Sequence, residues 1–116
     1  LCVEDNPFGR VVLNAILTEF GHTVDFASSG EAALIAVAAK DHDVVLMDVT
    51  LPGIDGFETA RRIRALPRSE ALPVIGVSAL YSEADIERAK AAGMNDYLVK
   101  PVTPAALEEA LGKVVL

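Results

Sequence analysis

Residues 44–48 read Val-Val-Leu-Met-Asp, and this run limits the fold more than any other stretch of the chain. Four apolar side chains in succession, two of them β-branched, leave a strand no solvent face. Both faces must then be covered, which is the condition of a central strand in a parallel sheet flanked by helices. The run stops at a carboxylate, Asp48. The next eight residues, Val49 to Gly56, hold two glycines, a proline and a second aspartate, Asp55, so the chain turns there. A lone acid at the carboxyl end of a buried strand lies on the edge where open α/β sheets bind ligands. The plainer alternative is that Asp48 merely opens the turn.

The same pattern recurs along the chain. Leu1-Cys2-Val3 is a short apolar strand ending in Glu4-Asp5, and Asn6-Pro7 supplies a cap and a first-turn proline for a helix. Phe8, Val11, Val12, Ala15, Ile16 and Phe20 recur at helical spacing and form its expected apolar stripe, and Gly21 stops it. Thr23 to Ala27 alternates as a strand with one partly exposed side. Ser28 and Glu31 have capping-box spacing and start an alanine-rich helix reaching about Lys40. A third helix begins at Gly56-Phe57, with Phe57, Ala60, Ile63 and Leu66 on one face and Arg61, Arg62 and Arg64 outside. Pro73 to Val77 is a second buried strand, ending at Ser78-Ala79. Ser82 caps a helix to Ala92, and Gly93 suits the position just past its end. Its inward face is mostly alanine, with Ile86 the only large aliphatic, which predicts weak anchoring because alanine buries little area. Asp96 to Val99 is a fifth strand ending at Lys100-Pro101. Thr103-Pro104 opens a last helix carrying Leu107, Leu111, Val114 and Val115.

Strand followed by helix, five times with short connections, implies an α/β fold in which a parallel five-stranded sheet is covered by helices on both faces. The expected arrangement is the flavodoxin-like, doubly wound (βα)5 order 2-1-3-4-5. In that order the carboxyl ends of the strands bring Glu4, Asp5, Asp48, Ser78 and Lys100 onto one edge.

At 116 residues the chain is expected to be a single domain spanning 1–116. It opens Leu-Cys-Val-Glu-Asp rather than with Met and reads as a piece of a longer polypeptide whose first strand is clipped short. No apolar run approaches a membrane span, and no signal peptide is legible. The lone Cys2 forms no internal disulfide and is expected to pack as a small hydrophobe. A net charge of −7 argues against nucleic acid and anionic membranes as direct partners. His22 and His42 lack neighbours at ligand spacing, which argues against zinc.

Three carboxylates in one crevice repel one another, and burying them unpaired is costly. A hard divalent cation resolves this, and magnesium suits a site with few direct carboxylates. Lys100 adds a point positive charge and Ser78 a hydroxyl donor. An acceptor oxygen, a cation and donors for equatorial oxygens are the parts that phosphoryl transfer requires, and an aspartate is able to serve as the acceptor. Each residue also has a plainer reading. Glu4-Asp5 as a helix cap, Ser78 as a loop hydroxyl and Lys100 as a solvated lysine all stay open at this point.

The chain resembles the receiver domains of two-component response regulators. The matching residues are Glu4-Asp5, Asp48, Pro52-Gly53-Ile54-Asp55-Gly56, Ser78-Ala79 and Lys100-Pro101, over essentially its whole length. Val3-Glu4-Asp5-Asn6-Pro7 and the Gly21-His22-Thr23-Val24 junction are most similar to receivers of hybrid sensor histidine kinases. The resemblance implies that Asp48 is the phosphoacceptor, charged by a phosphohistidine on a histidine kinase or histidine phosphotransfer protein. It implies Mg²⁺ held directly by Asp5 and Asp48, by Glu4 through water, and by the backbone carbonyl of Thr50. Lys100, with a cis bond to Pro101, would pair with Asp48 and then with the phosphoryl group. Ser78 would bond a phosphoryl oxygen. Tyr97 would be the aromatic that turns inward on activation, or simply a half-buried strand residue. Thr50 and Leu80 occupy positions that tune self-dephosphorylation in the family, and because Leu80 cannot orient a water, slow loss of the group is expected. Such a protein contributes to its own phosphorylation and dephosphorylation without turning over a separate substrate. A cytoplasmic location follows, free or within a membrane-anchored hybrid kinase. Dimerisation through the fourth helix, fifth strand and fifth helix is compatible with the family, but no distinct apolar patch in the sequence supports it.

Three other readings compete. A haloacid-dehalogenase-type phosphotransferase needs a second aspartate where Thr50 stands. A flavodoxin needs a hydroxyl- and glycine-rich loop where Glu4-Asp5-Asn6-Pro7 stands. The third is a non-phosphorylated pseudo-receiver acting as an interaction module, against which every key residue is present.

Overall fold

A computed structural model describes residues 1–67, 69–79 and 82–114. Ten elements alternate: β1 Cys2–Val3, α1 Pro7–Glu19, β2 Phe26–Ala27, α2 Gly30–Ala39, β3 Val45–Asp48, α3 Gly56–Ala65, β4 Val74–Ser78, α4 Glu83–Ala91, β5 Asp96–Val99 and α5 Pro104–Val114. All strand pairs are parallel, in the order β2-β1-β3-β4-β5, as the alternation requires. The register sets Asp48 opposite Val77 and Ser78 opposite Val99, so the carboxyl ends of the three strands line up. No helix among the described residues is long and apolar enough to cross a membrane.

The pleat divides the core in two. Val3, Val45, Met47 and Val74 point to the side covered by α2, α3 and α4, where they meet Ala33, Val37, Phe57, Ala60 and Ile63. Cys2, Leu46 and Ile75 point to the other side, against Leu13 and Leu17 of α1 and Leu107 and Leu111 of α5. Each large aliphatic side chain buried this way stabilises the fold by about 1.5–3 kcal/mol. Cys2 packs as the small buried hydrophobe expected.

Four local expectations are corrected. The stripe expected on α1 is rotated: Phe8, Val11 and Val12 are 82%, 68% and 53% exposed, and Leu13 and Leu17 are buried instead. The reason lies at Gly9, where an added Cβ would fall 2.3 Å from Glu4 Oε1. Without a Cβ, Gly9 lets the helix approach that carboxylate with no shift of the Glu4 side chain, and once Gly9 faces inward, residues 13, 16 and 17 follow on the same face. The cap of α2 is Ser29, whose hydroxyl accepts from Ala32 N at 3.1 Å, not Ser28. Glu31 is turned instead to the loop after β3, where it accepts from Ile54 N. Finally, β2 pairs only at Phe26–Ala27 rather than over 23–27, and β3 begins at Val45, one residue later than expected.

Other local features follow the expected chemistry. Asn6, Asp55, Ser82 and Thr103 each accept a first-turn backbone N–H. Gly21 and Gly93 take positive φ at the ends of α1 and α4, and Ala89 is the only buried residue within α4. Val115, expected on the last helix, lies outside the described residues.

Candidate functional site

The site is assembled by strand ends and the residues just past them. Glu4 and Asp5 follow β1, Asp48 closes β3, Ser78 closes β4, and Lys100 follows β5. Glu4, Asp48 and Ser78 are 2%, 5% and 1% exposed, whereas Asp5 lies open at the rim. Carboxylate oxygens of Glu4, Asp5 and Asp48 come within 4.8 Å of one another. Into this group Lys100 projects its ammonium, 3.0 Å from Glu4 Oε1 and 3.0 Å from Asp48 Oδ2. The lysine backbone is fixed as well, its N–H donating to Ser78 O at 2.8 Å, and its bond to Pro101 is cis, as the resemblance implied.

Asp48 is oriented from two sides. Its Oδ2 accepts from Lys100, and its Oδ1 accepts from the backbone N–H of Thr50 at 3.1 Å, which makes Asp48 the head of its own turn. The following loop is pressed onto the strand. Gly56 N donates to Val49 O at 2.9 Å, and a Cβ at Gly56 would sit 2.3 Å from the Asp48 carbonyl oxygen. Gly53, at φ +74°, supplies the positive-φ position of this loop.

The electrostatics are those of crowded acids around one cation. Burial raises the Glu4 carboxyl above its ordinary value, the neighbouring Asp48 adds to this, and Lys100 opposes it. For Lys100, burial pulls downward, but the bonds to Glu4 and Asp48 outweigh it and the ammonium is held above its ordinary value. Glu4 Oε2 is buried and has no hydrogen-bond partner among the described residues. An all-oxygen donor set with one orphaned carboxylate oxygen fits a hard divalent cation.

Of the residues singled out from the sequence, Glu4, Asp5, Asp48, Ser78 and Lys100 converge, and Thr50 contributes its N–H beside them. Tyr97 sits apart: it pairs in register with Gly76, its ring lying over that glycine on the α4 side of the sheet. Leu80 lies outside the described residues. Gly9, which gives Glu4 its room, was missed; a glycine inside a helix is disfavoured by about 1 kcal/mol relative to alanine, and that penalty is the signal that marks it. A groove of about 340 Å³ lined by Leu17, His22, Asp25 and His42 among others opens at the opposite end of the strands and contains none of these residues.

A five-stranded 2-1-3-4-5 sheet with an acid triad and a lysine at its carboxyl edge defines a doubly wound α/β protein with an acidic site at the switch point of its sheet. More specifically, the model of the response regulator receiver domain matches residues 1–112, and the chain belongs to that family. It is 40% identical over 100 residues to a gliding motility regulatory protein of Myxococcus xanthus, covering 86% of this chain and 13% of that protein. It is 39% identical over 115 residues to the transcriptional regulatory protein AfsQ1 of Streptomyces coelicolor, covering 99% of this chain and 50% of the other. The chain thus spans half or less of the length of these two relatives. Among solved structures, the receiver domain of sensor histidine kinase PA1611 from Pseudomonas aeruginosa superimposes with a TM-score of 0.91 at 36% identity, covering 98% of this chain and 93% of that one. That structure has a magnesium ion coordinated in its active-site cleft.

Proposed function

We propose that this receiver accepts a phosphoryl group on Asp48 from a phosphohistidine of a histidine kinase or histidine phosphotransfer protein, in a magnesium-dependent reaction, and switches conformation as a result. The observation that carries this reading is the Lys100 ammonium, equidistant at 3.0 Å from Asp48 and Glu4 inside a ring of acids. In the transfer, a carboxylate oxygen of Asp48 attacks phosphorus and the P–N bond breaks. The imidazole leaves with the electron pair, and a carboxylic–phosphoric anhydride remains. Lys100 and the Thr50 N–H hold the attacking carboxylate in place beforehand. As charge moves onto the phosphoryl oxygens, Lys100 follows it, and the Ser78 hydroxyl donates to one of them. Mg²⁺, when bound, would offset the charge that phosphoryl oxygens bring into an acidic pocket. Asp5, Asp48, Glu4 and the Thr50 carbonyl would hold it, a fit supported by the orphaned Glu4 Oε2.

The exposed Phe8, Val11 and Val12 begin within one helical turn of Asp5, which supports a donor carried on a protein surface rather than a free metabolite. The switch is a local charge event acting on a weakly held element. Drawing Ser78 towards the phosphoryl group displaces the segment that leads into α4, and Tyr97 turns into the space released. With Leu80 in place of a polar side chain, the group is lost slowly. The reading carries with it a cytoplasmic location, free or within a membrane-anchored hybrid kinase.

Intact mass after incubation with acetyl phosphate tests the proposal. One phosphoryl adduct is expected with Mg²⁺ and none after its chelation or in Asp48→Asn. An unmodified wild type under rapid quenching would instead indicate a pseudo-receiver.

A further inference from the structure

We propose that Arg88 is a clasp that holds α4 against α3 while Asp48 is unmodified, and so regulates how readily the site is switched; this rests on the phosphoacceptor reading above. Apolar packing alone does little to hold α4. Ala89 is the only buried residue within it, and Ala92 follows just past its end. Arg88 compensates across the helix interface. Its guanidinium carbon lies 4.4 Å from the centroid of the Phe57 ring, and its Nη2 lies 4.0 Å from Asp55 Oδ2.

Both contacts belong to the segment that leaves the site. Asp55 caps α3, accepting from Glu58 N at 2.8 Å. Phe57, 2% exposed, is sunk in the core. Between them Gly56 is packed so closely on the Asp48 carbonyl that no Cβ fits. The first turn of α3 is therefore continuous with the strand end that bears the acceptor, and it cannot follow a movement of α4. The chain enters α4 from the other side, from Ser78 at the end of β4. A phosphoryl group that draws Ser78 inward pulls on the entry to α4, while Arg88 keeps the middle of the helix on Phe57. The two ties oppose each other, and the clasp favours the unmodified state by its own strength. For a cation over an aromatic ring at a partly exposed site, that is about a two- to five-fold effect on an equilibrium. By linkage, releasing it strengthens binding of whatever selects the switched state.

The test compares wild type with Arg88→Met, which keeps an apolar stem and removes the cation, and with Arg88→Ala. Arg88 has a 59% exposed side chain, so neither change opens a cavity in the core. Beryllofluoride with Mg²⁺ serves as a non-covalent phosphoryl mimic, with affinity read by calorimetry and amide exchange followed over residues 83–91. The clasp predicts faster exchange in α4 of both variants without mimic, and two- to five-fold tighter mimic binding. Faster exchange with unchanged or weaker binding would overturn it, leaving Arg88 a structural tie. Unchanged exchange would equally overturn it. Failure of the wild type to bind the mimic at all would instead refute the phosphoacceptor reading, and the regulation with it.

Discussion

Lys100 stands between two carboxylates that would otherwise face each other, and its substitution separates two effects that an unfolding mutation would merge. Lys100→Ala is expected to slow adduct formation on Asp48 by about 10²-fold, the scale for removing one preorganised charge donor. The same change leaves Glu4 and Asp48 without their competing cation, so Mg²⁺ binding should tighten in a titration of the same protein. His42 offers a test away from the site. Its side chain is 7% exposed, and burial lowers its pKa from the ordinary 6.5, with Asp25 opposing. As pH falls the unfolded chain takes up the proton first, so the stability contributed by neutral His42 is complete above pH 6.5 and is lost through the lower folded value. Thermal melts should show wild type losing stability faster than His42→Leu as pH is lowered from 6.5, with the two parallel above it.

Among the elements, α1 shows why a sequence can reveal a helix and conceal its face. Two apolar stripes share its turns. The one beginning at Phe8 is the more conspicuous in the sequence, yet the one running Gly9, Leu13, Ile16 and Leu17 is inside. The choice between them is made by a tertiary contact, the buried carboxylate of Glu4 against Gly9, which no local pattern encodes. Strand ends were legible because apolar runs terminate in charged or hydroxyl residues, and the parallel order then carried Asp48, Ser78 and Lys100 to one edge without further information. The partners of Arg88 and Glu31 were not, since long polar side chains reach across helix interfaces that only the fold defines. Gly9→Ala tests the α1 contact. Alanine should return about 1 kcal/mol of helix propensity while its Cβ displaces the Glu4 carboxylate. The expected result is a melting temperature close to wild type with weaker Mg²⁺ binding and slower phosphoryl uptake.

For the molecule as a whole, the helices and sheet leave the acidic edge preformed, so a cation that binds there stabilises the folded state only. At a hundredfold excess over its dissociation constant, Mg²⁺ should add about 2.7 kcal/mol, several degrees in the melting temperature of a domain this size. Asp5→Asn should lose most of that shift while melting near the metal-free wild type, because Asp5 is an exposed rim residue.

The most direct measurement is to trap the modified protein with borohydride, which reduces an aspartyl phosphate to homoserine, and to locate the change by peptide mass. Homoserine at position 48, formed only after incubation with phosphodonor and Mg²⁺, is the predicted result. Phosphate retained on a serine, threonine or histidine, with Asp48 intact, would contradict it.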